Sequence, residues 1–168
     1  SLFPNLEVLD LSHNELGQVG PAQLRGTPRL LKLFLQHNRI SALGPGAFAP
    51  LTRLQRLDLT SNIIAAVHPR ALHMLPKLQR LDLRDNGIAQ LDQSVFNTLT
   101  ALSMLRLDQQ RLTRVDPLLF EHNTNLTHLS LSGNPLTSLP AAVFHKLTRL
   151  KRLFLSDNRL VSLPGELF

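Results

Sequence analysis

Cysteine, tryptophan and tyrosine are absent from the 168 residues of the chain. Without cysteine the chain can form no disulfide and no thiolate metal site, and it can carry out no thiol catalysis. Its aromatic residues are eight phenylalanines. Platforms that bind single-stranded nucleic acid use several exposed rings, so this small number argues against a phenylalanine platform of that kind.

Long apolar stretches and acidic residues are also scarce. No run of about 18 apolar residues occurs, so the sequence predicts no membrane-spanning helix. Residues 1–5 lack the basic start and the apolar block of a signal peptide. The 12 acidic residues are outnumbered by 18 lysines and arginines, and the resulting net charge of +6 favours acidic or polyanionic partners.

Known catalytic signatures are missing as well. The sequence has no GxSxG, P-loop or HExxH motif. Asp58 and Asp82 are expected to be neighbours, and a pair of neighbouring carboxylates is the arrangement that many acid–base catalysts use. However, Arg56 is expected beside Asp58 and Arg80 beside Asp82, and an open surface offers no apolar pocket to separate the roles of the two carboxylates. We therefore expect no enzymatic activity and no cofactor.

What the chain does contain is a repeat of 24 residues. Each unit starts with a short alternation of apolar and polar residues, which predicts a strand. Such a strand can bury its apolar side only by stacking on identical neighbours as a parallel sheet. Proline and glycine in the return path disfavour long helices. The units open at position 1 with a leucine: Leu6, Leu30, Leu54, Leu78, Leu102, Leu126 and Leu150.

The predicted fold is an α/β repeat solenoid, a curved horseshoe with the parallel sheet on its concave face and irregular loops on its convex side. Strands lie about 4.8 Å apart, whereas the bulkier return side needs more room, so the stack must curve. We expect residues 1–168 to form a single array. Residues 1–5 are then the tail of an earlier repeat, and Phe168 is position 19 of the last one.

Two further columns are expected inside the stack. Position 9 forms a ladder of carboxamides, which must find hydrogen-bond partners when buried: Asn14, Asn38, Asn62, Asn86, Gln110, Asn134 and Asn158. Position 19 forms a mostly aromatic spine: Leu24, Phe48, Leu72, Phe96, Phe120, Phe144 and Phe168. Because glutamine is one methylene longer than asparagine, we expect a local bulge at Gln110. Thr27 and Asn123 depart from the apolar pattern at position 22.

The pattern LxxLxLxxNxLxxLxxxxFxxLxx resembles the leucine-rich repeat in its 24-residue typical form, and the resemblance covers the whole chain. It implies an extracellular or cell-surface ectodomain whose relatives include Toll-like receptors, adhesion proteins and matrix proteoglycans. Residues 136–168 are also similar to the lymphocyte receptors of jawless vertebrates. Cysteine-rich caps usually close both ends in this family, and none is present. We therefore expect a fragment of a longer protein, with any membrane anchor elsewhere in it.

Outward-facing residues of the strands line the concave face and are the candidate binding residues. Position 3 gives a mostly basic stripe, and position 5 places two phenylalanines, Phe34 and Phe154, where exposed rings can anchor a ligand. The candidate set is Phe34, Phe154, Lys32, Arg56, Arg80, Arg106, Arg152, Asp58, Asp82, Met104 and His128. The alternatives are that the charges form a lattice of surface ion pairs, and that each ring packs on a neighbour such as Leu31 or Lys151.

Three other features of the sequence offer possible binding or modification chemistry. His13 and His37 at position 8 could share a metal or a pH-sensitive contact, but two histidines without a third ligand predict no metal site. Asn125 opens the single sequon, Asn125-Leu126-Thr127, and is a candidate for glycosylation. Cations also recur along the flanks, at position 24 (Arg29, Arg53, Lys77 and Arg149) and at position 10 (Arg39, Arg111 and Arg159).

The sequence thus predicts an extracellular recognition module that binds a protein ligand on its concave face. One alternative is binding of a polyanion, heparan sulfate or nucleic acid, along the basic flanks. Another is a structural spacer that holds apart other functional parts of a longer protein.

Overall fold

The computed structural model describes residues 2–168 of the chain. One strand of three residues begins two residues after each position-1 leucine. In chain order these strands are β1 (Val8–Asp10), β2 (Lys32–Phe34), β4 (Arg56–Asp58), β6 (Arg80–Asp82), β7 (Met104–Arg106), β8 (His128–Ser130) and β9 (Arg152–Phe154). They form one parallel sheet in the order β1-β2-β4-β6-β7-β8-β9. Equivalent residues of successive repeats are paired, as in Leu33 with Leu57, so the register follows the 24-residue period.

Burial explains why such short strands form. The central position-4 leucines Leu33, Leu57 and Leu105 are fully buried, whereas their neighbours at positions 3 and 5 face the concave side. At the two ends of the stack, Leu9 and Leu153 are only partly buried, because each has a neighbouring repeat on one side only. The horseshoe solenoid predicted from the repeat is confirmed.

The return path consists mainly of turns. Within residues 2–168 it contains one helix, α1 (Pro21–Leu24), and a two-stranded parallel sheet of β3 (Ala42–Leu43) and β5 (Ala66–Val67). This small sheet joins the second and third repeats by extra backbone bonds, such as Ala65 N–H to the Ser41 carbonyl at 2.9 Å. Elsewhere the residue at position 10 usually donates one bond to the preceding repeat, as Arg111 does to the Ile88 carbonyl at 2.9 Å. Pro135 occupies position 10 of the sixth repeat and has no N–H to donate.

The predicted carboxamide ladder stitches adjacent repeats together. In the middle of the stack, Asn62 Nδ2 donates to the carbonyls of Leu35 and Leu59, both at 3.0 Å, and Asn62 Oδ1 accepts from Ile40 N at 3.0 Å. The end of the stack differs, because Asn14 is exposed and donates only within its own turn, to Leu11 and Ser12. The expectation of a uniformly buried column is therefore wrong at Asn14.

The bulge expected at Gln110 is absent. The turn keeps the left-handed backbone of the other repeats, with φ of 53° at Gln109. The extra methylene is absorbed by the side chain instead. Gln110 Nε2 donates to the Leu83 carbonyl at 2.5 Å and to the Asp108 carbonyl at 3.1 Å. It makes no bond to the Leu107 carbonyl, which is the equivalent of the in-turn bond made by each asparagine.

The aromatic spine packs as predicted except at its last residue. Phe96, Phe120 and Phe144 stack in sequence with ring centroids 6.4 Å apart at each step. Phe168 is 84% exposed because no repeat covers it. The two polar departures at position 22 are buried and bonded. Thr27 donates to the Leu24 carbonyl, and Asn123 Nδ2 donates to the carbonyls of Phe96 and Leu99 at 3.0 and 3.1 Å.

Candidate functional site

The position-3 stripe lies on the concave face as the sequence predicts. Lys32, Arg56 and Arg80 are paired across adjacent strands, so their side chains leave the sheet side by side. Lys32, Arg80 and Arg152 are exposed and form no ion pair with any residue in the described range. Met104 and His128 continue the same column and are half-buried. The stripe therefore begins at Val8, presents cations on β2, β4 and β6, and presents a further cation on β9 after Met104 and His128.

The middle of the concave face is a network of ionic and hydrogen-bonded side chains, here called the Asp/Arg lattice: Arg56, Asp58, Asp82, Arg84, Arg106 and Asp108. Asp82 pairs with Arg84 at 2.9 Å and with Arg106 at 3.5 Å, and Arg56 pairs with Asp58 at 3.7 Å. Asp108 accepts a hydrogen bond from the Ser130 hydroxyl. The lattice holds three carboxylates and three guanidinium groups, so its formal charge is zero.

The lattice corrects one expected pairing. Sequence reasoning placed Arg80 beside Asp82, but the partners of this carboxylate are Arg84 and Arg106. Arg84 lies two residues after Asp82, and its Nε reaches both carboxylate oxygens at 2.9 and 3.0 Å. The hydrogen bond to Asp82 raises the pKa of Arg84. The i, i+2 spacing of Asp82 and Arg84 could have shown this pair, because the turn after the strand folds position 7 back over position 5.

The two candidate anchor rings have different surroundings. Phe34 is half-buried, and the guanidinium of Arg56 on the adjacent strand lies 4.9 Å from its ring centroid. Phe154 is 51% exposed on the last strand. An exposed ring on a rigid sheet can be buried by a ligand, whereas the Phe34 ring already has a cation over it. Of the two rings, only Phe154 therefore presents a largely uncovered apolar surface.

His13 and His37 form a stacked pair, with ring centroids 4.4 Å apart and 21° between the planes. Both residues have left-handed backbones, with φ of 55° and 56°, which turns the chain at the end of the strand. Residues 2–168 contain no group of three or more His, Cys, Asp or Glu side chains that could hold a metal ion. The pair is exposed, and its position-8 column continues with a hydrogen bond between Ser61 and Asp85 at 2.8 Å.

The sequon side chains are both engaged in bonds between repeats. Asn125 Nδ2 donates to the Thr100 carbonyl at 2.8 Å, and its Oδ1 accepts from Arg149 at 2.7 Å. Thr127 Oγ1 donates to the Ser103 carbonyl at 3.0 Å. A glycan on Asn125 Nδ2 would have to replace the hydrogen bond to the Thr100 carbonyl. Glycosylation at Asn125 therefore stays a prediction, and it would remove one bond between repeats.

The flanking cations lie at the rim of the sheet. Arg29 donates to Asn5 on the preceding repeat at 2.9 Å, so position-24 side chains of neighbouring repeats reach one another. Arg39 pairs with Glu15 at 3.0 Å, although both side chains are largely exposed. Arg53 and Lys77 are exposed and form no ion pair within the described residues.

Comparison with known proteins agrees with this geometry. The family model described as leucine rich repeat matches five overlapping windows, residues 4–64, 28–88, 52–112, 76–136 and 100–160. A comparison with curated protein sequences gave no match. The chain is similar to a chain in the crystal structure of the TLR13–ssRNA13 complex, with 32% identity and a TM-score of 0.82. The match covers 98% of this chain and 28% of that one. In the part of the chain that the structure describes, no helix is long and apolar enough to cross a membrane.

Proposed function

Because the chain belongs to the leucine-rich-repeat family, we propose that it is a recognition part of an extracellular or cell-surface ectodomain and binds a protein ligand on its concave sheet. The proposal treats residues 1–168 as one repeat array within a longer protein, and it assigns no catalytic role to any residue. The observation that carries it is the exposed ring of Phe154 on a sheet whose other residues are held in register.

The surroundings of Phe154 favour a ligand that is apolar at its centre and acidic at its rim. Arg152 lies on the same strand and the same face, and Lys151 precedes it; both are exposed and unpaired within residues 2–168. Aromatic residues and arginines are the side chains that most often dominate binding energy in protein interfaces. The basic groups would orient an acidic partner and speed its association.

The Asp/Arg lattice would serve specificity more than affinity. Its charges already neutralise one another, so a partner gains little net Coulomb energy there and must match hydrogen-bond donors and acceptors instead. Carboxylates such as Asp58 and Asp82 would repel a phosphate chain laid along the middle of the face, which favours a protein over a polyanion at this place. Phe34, Lys32, Arg80, Met104 and His128 are the remaining proposed contacts.

The test uses two phenylalanines that are both exposed. The full chain would be immobilised and used to capture partners from an extracellular protein mixture, and the affinity of the captured partner would then be measured. Phe154→Ala should weaken binding about 30-fold, a loss of about 2 kcal/mol. Phe168→Ala, on a ring that is 84% exposed but off the sheet, should change it little. If the two substitutions change the affinity equally, or if neither changes it, the proposed binding face is refuted and a spacer role is favoured.

A second candidate function is binding of a polyanion along the basic flanks. It is supported by the charge of +6 and by the similarity to a protein crystallised with ssRNA13. Release of condensed counterions makes such binding strongly salt-dependent. A partner that is retained at low salt, lost at high salt and unaffected by Phe154→Ala would identify this function instead.

A further inference from the structure

A basic tetrad recurs at the start of three consecutive strands. The pattern is a cation, a leucine, one further residue and a second cation, in RLLK at 29–32, RLQR at 53–56 and KLQR at 77–80. The next two repeats have ALSM and NLTH at the same places. The six cations form the basic edge, namely Arg29, Lys32, Arg53, Arg56, Lys77 and Arg80. Charge of one sign is therefore continuous across the second to fourth repeats, and the pattern returns once, as RLKR at 149–152 in the seventh repeat.

Buried leucines fix the geometry of this edge. Leu30, Leu54 and Leu78, the second residues of the tetrads, are fully buried, so the cations on either side of each are held at the rim of the sheet. Within a tetrad the two cations are three residues apart, about 10 Å along an extended chain. Across the sheet, equivalent cations are about 4.8 Å apart. The result is two parallel rows of three cations.

Most of this charge has no internal partner. Five of the six residues are exposed, and Arg56 alone among them forms an ion pair within the described residues, with Asp58 at 3.7 Å. Rows of like charges at this spacing repel one another and attract a linear anion. A row of cations is usually no more than a solvated surface. What distinguishes this one is the surface immediately beside it.

Rings and hydrogen-bonding groups lie next to the basic edge, toward the carboxyl ends of the same strands. Phe34 follows Lys32 by two residues, and the exposed stacked pair His13 and His37 lies at the far side of the sheet. The small aromatic content noted in the sequence excludes a phenylalanine platform, but imidazole rings also stack on nucleobases. The neutral Asp/Arg lattice continues this strip with donors and acceptors.

We propose that the basic edge binds a single-stranded nucleic acid, with phosphates along the two rows of cations and bases laid over the sheet toward Phe34 and His37. This narrows the second candidate function and rests on it. A single strand carries its anionic groups on one side and its bases on the other, which matches a basic strip beside a ring-bearing strip whose charges largely cancel. A sulfated glycan, whose anionic groups project from both sides of the chain, would leave the second strip unused.

The first experiment measures the fluorescence anisotropy of a labelled single-stranded RNA of mixed sequence, about 12 nucleotides long, with the full chain. Contacts from the five cations without an ion pair predict a slope of about −3.5 in log affinity against log salt, or roughly 130-fold weaker binding on going from about 50 to 200 mM salt. No binding at the lower salt concentration would overturn the proposal.

Two charge-matched double variants locate the site. Arg53→Gln with Lys77→Gln removes two exposed cations of the basic edge. Arg70→Gln with Arg114→Gln removes two exposed cations from the return path, away from both basic flanks. None of the four side chains makes a hydrogen bond or ion pair within residues 2–168, so folding should be unaffected. The first variant should lower the salt slope by about 1.4 and weaken binding tenfold or more, while the second should retain binding. Equal losses would overturn the proposal.

A third comparison tests the role of the bases. An abasic phosphodiester of the same length and a heparan sulfate oligosaccharide should each bind at least tenfold more weakly than the RNA. If either binds as tightly, the nucleic-acid proposal is wrong, while polyanion binding on the flanks stands. Failure of the proposed protein-binding function is separate, because it is measured by Phe154→Ala, which lies outside the basic edge.

Discussion

The loss of one ladder side chain in the middle of the stack should destabilise the protein far more than the same loss at its end. The informative pair is Asn62→Ala and Asn14→Ala. Asn62 makes three bonds of 3.0 Å, two of them to backbone groups of the preceding repeat. Asn14 makes two bonds of 3.1 Å within its own exposed turn. The two substitutions remove the same atoms from different surroundings.

The expected magnitudes follow from those bonds. A hydrogen bond contributes about 0.5–1.5 kcal/mol net, and a buried group left without a partner costs about 1–3 kcal/mol. Asn62→Ala leaves the Ile40 N–H and the carbonyls of Leu35 and Leu59 without their side-chain partner, so we expect a loss of about 2–4 kcal/mol. Water replaces the partner of the exposed groups around Asn14, and the loss there should stay below about 1 kcal/mol.

Far-UV circular dichroism in urea is the suitable assay, because the chain has no tryptophan or tyrosine to report by fluorescence. Repeat arrays can unfold in parts, so a single free energy of unfolding needs a local check. Amide hydrogen exchange supplies it, since the Ile40 N–H should lose protection in Asn62→Ala and keep it in Asn14→Ala. Equal midpoints for the two variants, or unchanged exchange at Ile40, would show that the ladder does not hold the repeats together.

Three further predictions concern other residues. Phe120→Ala should cost about 3–5 kcal/mol in urea denaturation because Phe120 stacks between two rings, whereas Phe168→Ala should be nearly neutral; similar costs would contradict the spine. Gln110→Asn should add the missing in-turn bond and stabilise the fold by about 0.5–1.5 kcal/mol, and a lower urea midpoint would refute this. The pKa of Asp92 lies below its ordinary value of 3.8 because of hydrogen bonds from Ser94. Ser94→Ala should therefore raise it in an NMR titration. A lowered carboxyl pKa contributes stability that is fully present above the ordinary pKa and is lost as pH falls through the folded pKa. Ser94→Ala should therefore destabilise the fold slightly at neutral pH, and this difference should disappear in the acid range.

The architecture could be predicted from the sequence because the same pattern of apolar positions occurs in seven successive units. In every inner unit the leucine equivalent to Leu57 is buried by the same neighbours, so a wrong assignment in one repeat would be inconsistent with the others. The expected bulge at Gln110 was wrong for a related reason. Neighbouring turns hold the backbone in register. The conformation of the longer Gln110 side chain is easier to change than the backbone, so the side chain adapts instead.

The site was less predictable because its contacts depend on side chains that cross between strands. The pairing of Asp82 with Arg106 rather than with Arg80 depends on rotamers that no repeat pattern encodes, whereas its pairing with Arg84 follows from local i, i+2 spacing. The same holds for Phe34, whose position alone indicates an exposed ring and whose partner Arg56 lies on another strand. Equivalent positions of the repeat therefore show which residues share a face. The structure shows which of these residues already have an ion-pair, hydrogen-bond or ring partner within the chain.

The proline at position 10 of the sixth repeat has a mechanical consequence. At the junction of the second and third repeats, the small sheet of β3 and β5 ties the return path together with bonds such as His68 N–H to the Leu43 carbonyl at 2.9 Å. At Pro135 that path has no position-10 bond to the fifth repeat, while the concave sheet remains continuous there. The bending stiffness of the solenoid should therefore vary along its length. The stack should be stiff near the basic edge and more easily bent between β7 and β8. In a single-molecule stretching experiment, the junction of the fifth and sixth repeats at Pro135 should separate first. A ligand that contacts both Phe154 and the basic edge would span this junction and restrain it.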